Sequence, residues 1–259
     1  MRSLNIAKTG MDSSQFKLDV VSNNLANVGT KGFKRSNALF EDLYYQQLRA
    51  PGAQLPNGSN APTGLQIGTG SAPVATVRDH TQGPTVLTGQ ALDWEIVGEG
   101  FFGIQLPDGT TAYSRNGEFQ RNSNGDIVTA QGYQLVPNIN IPSNALTITV
   151  TNAGVVQYTL PGSSAQQTAG TIQVTTFINP PGLDSIGENL YLQTAASGDA
   201  QTGDPGTDNF GQIKQGSLEG SNVSVTKELV DMITAQREFE MNSRAISTAD
   251  EMLKRVAQL

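Results

Sequence analysis

The sequence predicts an α+β protein: a helix at each end, the two paired side by side like a coiled coil, and a central antiparallel, mainly β region. Three observations carry this. A seven-residue apolar repeat occupies the first 28 residues, the same repeat returns over the last 35, and the stretch between is Gly- and Asn-punctuated with short β-branched and aromatic runs.

At the N-terminus, Leu4, Met11, Leu18 and Leu25 recur every seven residues, with Ala7, Ser14, Val21 and Val28 three positions later. This is an a/d seam over residues 4–28, broken only at Ser14. Gly29 follows the last seam residue, where a left-handed residue would end the helix. At the C-terminus the seam is Val225, Met232, Phe239, Ile246 and Leu253, with Ala235, Ala249 and Val256 as companions and Asn242 interrupting. Ser224 stands at the N-cap position. Each helix would be roughly 35–50 Å long at 1.5 Å per residue.

In the middle, Asp108-Gly109, Asn116-Gly117 and Asn124-Gly125 separate alternating apolar residues and signal hairpins of an antiparallel meander. Residues 144–178 continue the β pattern. Residues 50–72 are rich in Pro, Gly and Ala, and by composition alone read as a loose loop.

Paired helices would bury one stripe each, at about 1.5–3 kcal/mol per large side chain. Phe16, Val20, Leu229, Val230, Ile233 and Met241 lie off the seams and stay uncovered in a two-helix hairpin, which points to contact with another chain. Periodicity alone equally allows both helices to pack on the β region and complete a monomeric core.

The chain of 259 residues has no cysteine and one histidine, so thiolate chemistry and multi-histidine metal sites are excluded. A net charge of −7 leaves no broad basic surface for nucleic acid. The charge is uneven: residues 1–49 carry seven Lys/Arg against four Asp/Glu, 211–259 six against seven, and the middle three against twelve. The N-terminus lacks the apolar core of a signal peptide.

Asp93, Glu95 and Glu99 could suggest a glycosidase pair. Alternation along a strand would instead set all three on one outward face, without the cleft that such chemistry requires. Trp94 reads as packing, His80 as a surface or turn residue, and Asn116, Asn124 and Asp126 as turn residues rather than a calcium loop. No catalytic, cofactor or metal site, and no small-molecule substrate, is expected.

The run Ser22-Asn23-Asn24-Leu25-Ala26-Asn27-Val28-Gly29-Thr30-Lys31-Gly32-Phe33-Lys34-Arg35 resembles the N-terminal signature of the flagellar axial proteins, the rod and hook subunits. Gly220-Ser221-Asn222-Val223, with Lys227-Glu228-Leu229-Val230-Asp231-Met232-Ile233, resembles the matching C-terminal signature. Within the family, the segments Ala38–Leu43, Pro51–Gln54, Gly64–Gly70, Gly100–Phe102, Leu106–Gly109, Tyr113–Gly117 and Gly187–Tyr191 are similar to the distal rod branch.

The resemblance implies a helical homopolymer. Its discontinuous inner helical domain would comprise 1–47 and 211–259, its outer β domain 76–210, and an extended hairpin-like insertion 48–75 would bridge subunits through Pro51, Gly52, Leu65 and Ile67. It also implies contacts with proximal rod and hook subunits and with the P- and L-rings. Export would proceed through the flagellar type III apparatus to a basal body spanning the periplasm. The amides of Asn23, Asn24 and Asn27 would either bond between subunits or form a polar helix face.

Overall fold

In the computed structural model, residues 2–52, 62–162, 165–207 and 209–257 are described, with the side chains of 256 and 257 left aside. The fold is α+β: a helix near each end and a mainly antiparallel β region between. The chain forms two compact units, one from Met1–Ala26, Ser36–Val77 and Ser224–Leu259, the other from Asn27–Arg35 and Arg78–Val223.

The first unit contains α1 (Arg2–Ala26) and α2 (Val225–Ala257). They pack together in opposite directions, as three contacts show. Gly10 lies against Asn242, Lys17 reaches Glu238 at 3.5 Å, and Asn24 bonds Glu228 at 3.1 Å. The two seam interruptions have a packing reason. A Cβ on Gly10 would come within 2.7 Å of the Asn242 amide, so a glycine lets the polar Asn242 sit in the seam. Ser14 is buried, and its hydroxyl donates to the Gly10 carbonyl at 2.8 Å, leaving no unsatisfied group. Among the described residues no helix is long and apolar enough to cross a membrane.

Among its described residues the same unit contains four strands, β1 (Ser36–Asp42), β2 (Gln46–Arg49), β3 (Leu65–Ile67) and β4 (Ser71–Arg78), the last reaching its edge. β1 pairs with β4, and β2 pairs antiparallel with β3 in the register Gln46↔Ile67. Ser13 of α1 meets the Ser71 hydroxyl at 3.0 Å, and Phe16 makes an edge contact with Phe40.

α1 ends at Ala26, two residues short of the expected Val28, and Gly29 does not take the left-handed conformation. The left-handed glycine of this segment lies farther along the turn, at Gly32, φ 70°, where a Cβ would lie 2.7 Å from the Asn116 nitrogen.

The second unit is built on a nine-stranded antiparallel sheet whose central hairpin pairs Phe101–Gln105 with Thr111–Ser114. Trp94, Ile96, Phe102, Phe119, Ile127 and Leu135 form the main core; Phe101, Tyr113, Phe177, Leu183 and Tyr191 form a second aromatic cluster. Asp108-Gly109 closes a hairpin with Gly109 at φ 85°, and Asn124-Gly125 closes another with Gly125 at φ 92°. Asn116-Gly117 does not. A Cβ on Gly117 would lie 1.7 Å from the Trp94 carbonyl oxygen, so this glycine serves close packing, and the flanking strands pair elsewhere.

Candidate functional site

Along the helices, the small companions Ala7, Ser14, Val21 and Ala235 are buried, and so are the polar Asn24 and Glu228. Leu4, Met11, Leu18, Leu25, Met232, Phe239 and Ile246 are half-buried. Val225, Leu229, Ile233 and Leu253 are exposed, Ile233 by 49%, and with them Val230 and Met241 by 57% and 63%. Val28 lies exposed in the turn after α1; the Val256 side chain falls outside the described residues. α2 therefore carries an uncovered apolar stripe beside the one that faces α1.

The signature residues do most of their work within the chain. Asn24 is fully buried, and its amide donates to the Ser36 carbonyl at 2.8 Å and to the Glu228 carboxylate at 3.1 Å, while accepting the Ser36 N–H at 2.9 Å. Both amide hydrogens are thus engaged internally, which overturns an inter-subunit bond for this residue. The Asn27 side-chain oxygen accepts from the Thr30 hydroxyl, and Asn23 is exposed.

In the second unit, Phe33 is buried with the Arg78 guanidinium 6.0 Å from its ring. Lys34 is buried too. Its ammonium lies 2.6 Å from Glu219 and donates to the Thr81 carbonyl at 2.7 Å. Buried Arg115 completes a triad, 3.5 Å from the other Glu219 oxygen, and donates to the Ile96 and Gly98 carbonyls. Burial holds the Lys34 and Arg115 pKa values below their ordinary ranges, with Glu219 opposing the shift in each case. The Gly83 N–H also donates to Glu219 at 2.8 Å.

Two expectations are corrected here. Glu95 is not on an outward face: Trp94, Glu95 and Ile96 are all buried, because the strand Trp94–Val97 is covered on both faces, and Glu95 accepts from the Thr85 hydroxyl at 2.7 Å. Of the three carboxylates only Glu99 is exposed. His80 is not a free surface residue either. Its ring contacts Phe101 and Tyr191 edge-on, and both ring nitrogens are buried without a hydrogen bond. Among the described residues no cluster of three or more potential metal ligands forms.

Burial, followed by the nearby charges of Lys34, Arg115 and Arg78, lowers the His80 pKa from 6.5 to about 4. Between those values the unfolded chain binds the additional proton, so stability falls as pH drops through this window, by about 3 kcal/mol in full. His80→Phe should remove that loss. Urea unfolding followed by Trp94 emission at pH 7 and pH 4 would show a smaller difference for the variant than for the parent.

Insertion residues Pro51 and Gly52 are exposed, Leu65 is 51% exposed and Ile67 half-buried. Residues 53–61 of the expected insertion lie outside the described residues. Nearby, Tyr44 is 94% exposed, with Tyr45 and Leu48 also uncovered.

The sequence had signalled the apolar seams and signature loops, but not the carboxylates joined to them. Glu228 occupies a companion position of the C-terminal seam, where a charge required a buried partner. That irregularity was the available clue. Nothing local marked Arg115 or Glu219.

Three family models match: "Flagella basal body rod protein" over residues 4–34, "Flagellar hook protein FlgE/F/G D1 domain" over 95–158, and "Flagellar basal body rod FlgEFG protein C-terminal" over 214–259. A helix near each end around a β region, matched in all three parts, defines an axial structural component of the flagellum. Similarity also runs the length of the chain. It is 48% identical to the flagellar basal-body rod protein FlgG of Buchnera aphidicola subsp. Acyrthosiphon pisum, covering 99% of each chain. It is 46% identical to that of Caulobacter vibrioides and 40% to that of Bacillus subtilis, each covering 100% of this chain and 99% of the relative. The chain belongs to the FlgG family of flagellar basal-body rod proteins. It is a structural subunit of the distal rod in the basal body, assembling there with other rod and hook components, and not an enzyme.

Proposed function

We propose that the subunit polymerises into a rigid, hollow helical tube that transmits motor torque to the hook and forms part of the export channel. The observation that carries this reading is the apolar stripe of Leu229, Val230, Ile233 and Met241, left exposed on a helix already paired with α1. A stripe of this kind needs a further partner, and a second copy of the chain supplies one. Contacts between copies are heterologous, since a non-closing operator generates a helical polymer.

In this reading 1–47 and 211–259 form the polymerisation domain, with the helices paired as in a coiled coil through Leu4, Met11, Leu18, Leu25, Met232, Phe239, Ile246 and their companions. Residues 76–210 form the outer β domain. The insertion at 48–75 is hairpin-like and bridges neighbours, a role supported by the exposure of Leu48 and Leu65. P- and L-ring proteins surround the tube where it spans the periplasm, and the subunit arrives through the type III export apparatus.

Ile233→Asp tests the assembly. It is expected to abolish polymerisation and swimming while Trp94 emission reports a folded β unit. Normal rods containing this variant would refute the role of the stripe. Phe239→Asp should have the same outcome through loss of the seam itself.

A further inference from the structure

The chain passes between its two units four times, at 26/27, 35/36, 77/78 and 223/224. Three of these passages lie next to one another at the edge of the β unit. The side-chain oxygen of Asn222 accepts the Arg35 N–H at 2.7 Å, and its amide donates to the Asp79 carbonyl at 2.8 Å. The Asp79 N–H donates in turn to the Arg35 carbonyl at 2.9 Å, which closes a ring of three bonds. The Asn222 amide also lies 3.1 Å from the Thr81 carbonyl and 3.2 Å from its hydroxyl.

The backbone around this ring is fitted to it. Gly220 donates to the Pro84 carbonyl at 2.8 Å, and a Cβ on Gly83 would lie 2.0 Å from the Gly220 oxygen. Only a glycine lets the two segments approach so closely. Lys34 and Glu219, one residue before Arg35 and three before Asn222, join the same segments through their ion pair and the Thr81 carbonyl.

We infer that Asn222 is a positioning residue: one amide holds three chain passages at a fixed spacing, so that the segments leading to β1, from β4 and to α2 start from defined points. An asparagine suits this position because it offers an acceptor to one backbone N–H and donors to two carbonyls at once. The inference goes beyond polymerisation and does not depend on it, since the ring lies within the β unit.

Residue-resolved hydrogen exchange on the full chain tests it. In Asn222→Ala the Arg35 and Asp79 amides should exchange at least tenfold faster, while amides of Phe101–Gln105 keep their rates. Asn222→Asp retains an acceptor for Arg35, so that amide should stay within about threefold of the parent. In cells, swimming should be lost in Asn222→Ala and reduced in Asn222→Asp, which keeps the Arg35 bond but has no donor for the Asp79 and Thr81 carbonyls.

An Arg35 amide equally slow in Asn222→Ala, or normal swimming by that variant, would overturn the inference. Should Asn222→Ala fail to fold, Asn222→Asp still decides: exchange at the rate of an exposed amide would overturn the inference, and preserved protection would support it. The exchange result is independent of rod assembly, so failure of the polymerisation reading would be distinguishable.

Discussion

Glu219→Ala is expected to destabilise the β unit by about 3–5 kcal/mol, because it leaves buried cations without their counter-charge. Glu219 holds the Lys34 ammonium at 2.6 Å, faces Arg115 at 3.5 Å and accepts the Gly83 N–H. The contact with Arg115 is an ion pair rather than a hydrogen bond, since that oxygen has no hydrogen-bond partner. Lys34→Met should be milder, since Arg115 would still balance Glu219. Urea denaturation monitored by Trp94 emission should rank Glu219→Ala well below Lys34→Met, and Lys34→Met below the parent. Equal losses would mean that Arg115 contributes nothing to the balance. An apolar replacement of all three groups need not be destabilising, as buried ion pairs give little net stability over well-packed hydrocarbon.

This triad also marks where sequence reading ends. A heptad repeat is a local signal, and the two helices were legible from it. The hairpins at Asp108-Gly109 and Asn124-Gly125 were legible for the same reason, since each turn is set by adjacent residues. Lys34 and Glu219, by contrast, are 185 positions apart and meet only because the fold brings them together. Glu95 failed differently: alternation assigns side chains to two faces but cannot tell that both are covered. Gly29 was the stop expected for α1, but the helix ends earlier, at Ala26, and the left-handed glycine of the following turn is Gly32, placed by its close approach to the backbone at Asn116, a tertiary constraint. The family signature marked important residues without showing that Asn24 and Asn222 act inside the chain.

Asn24→Ala is expected to cost the helical unit about 3 kcal/mol, because three hydrogen bonds disappear, of which the one to the Glu228 carboxylate is fully buried. The Asn24 amide joins the last turn of α1 to both backbone groups of Ser36, where β1 begins, and to Glu228 in the first turn of α2. Its loss leaves the half-buried Ser36 N–H and C=O without these partners and withdraws a donor from the buried Glu228. Far-UV circular dichroism should therefore show the helical signal melting earlier, with the Trp94-reported transition of the β unit little changed. Asn24→Asp separates hydrogen bonding from size. At Asn222 an aspartate keeps an acceptor for the Arg35 N–H and forfeits the bonds donated to the Asp79 and Thr81 carbonyls; at Asn24 it should be no better than alanine. There the new carboxylate would stand roughly 3 Å from Glu228 and face the Ser36 carbonyl, a like-charge contact in a buried site. Full stability in Asn24→Asp would mean that Glu228 is not held as a charged acceptor, and would remove the electrostatic part of the clamp.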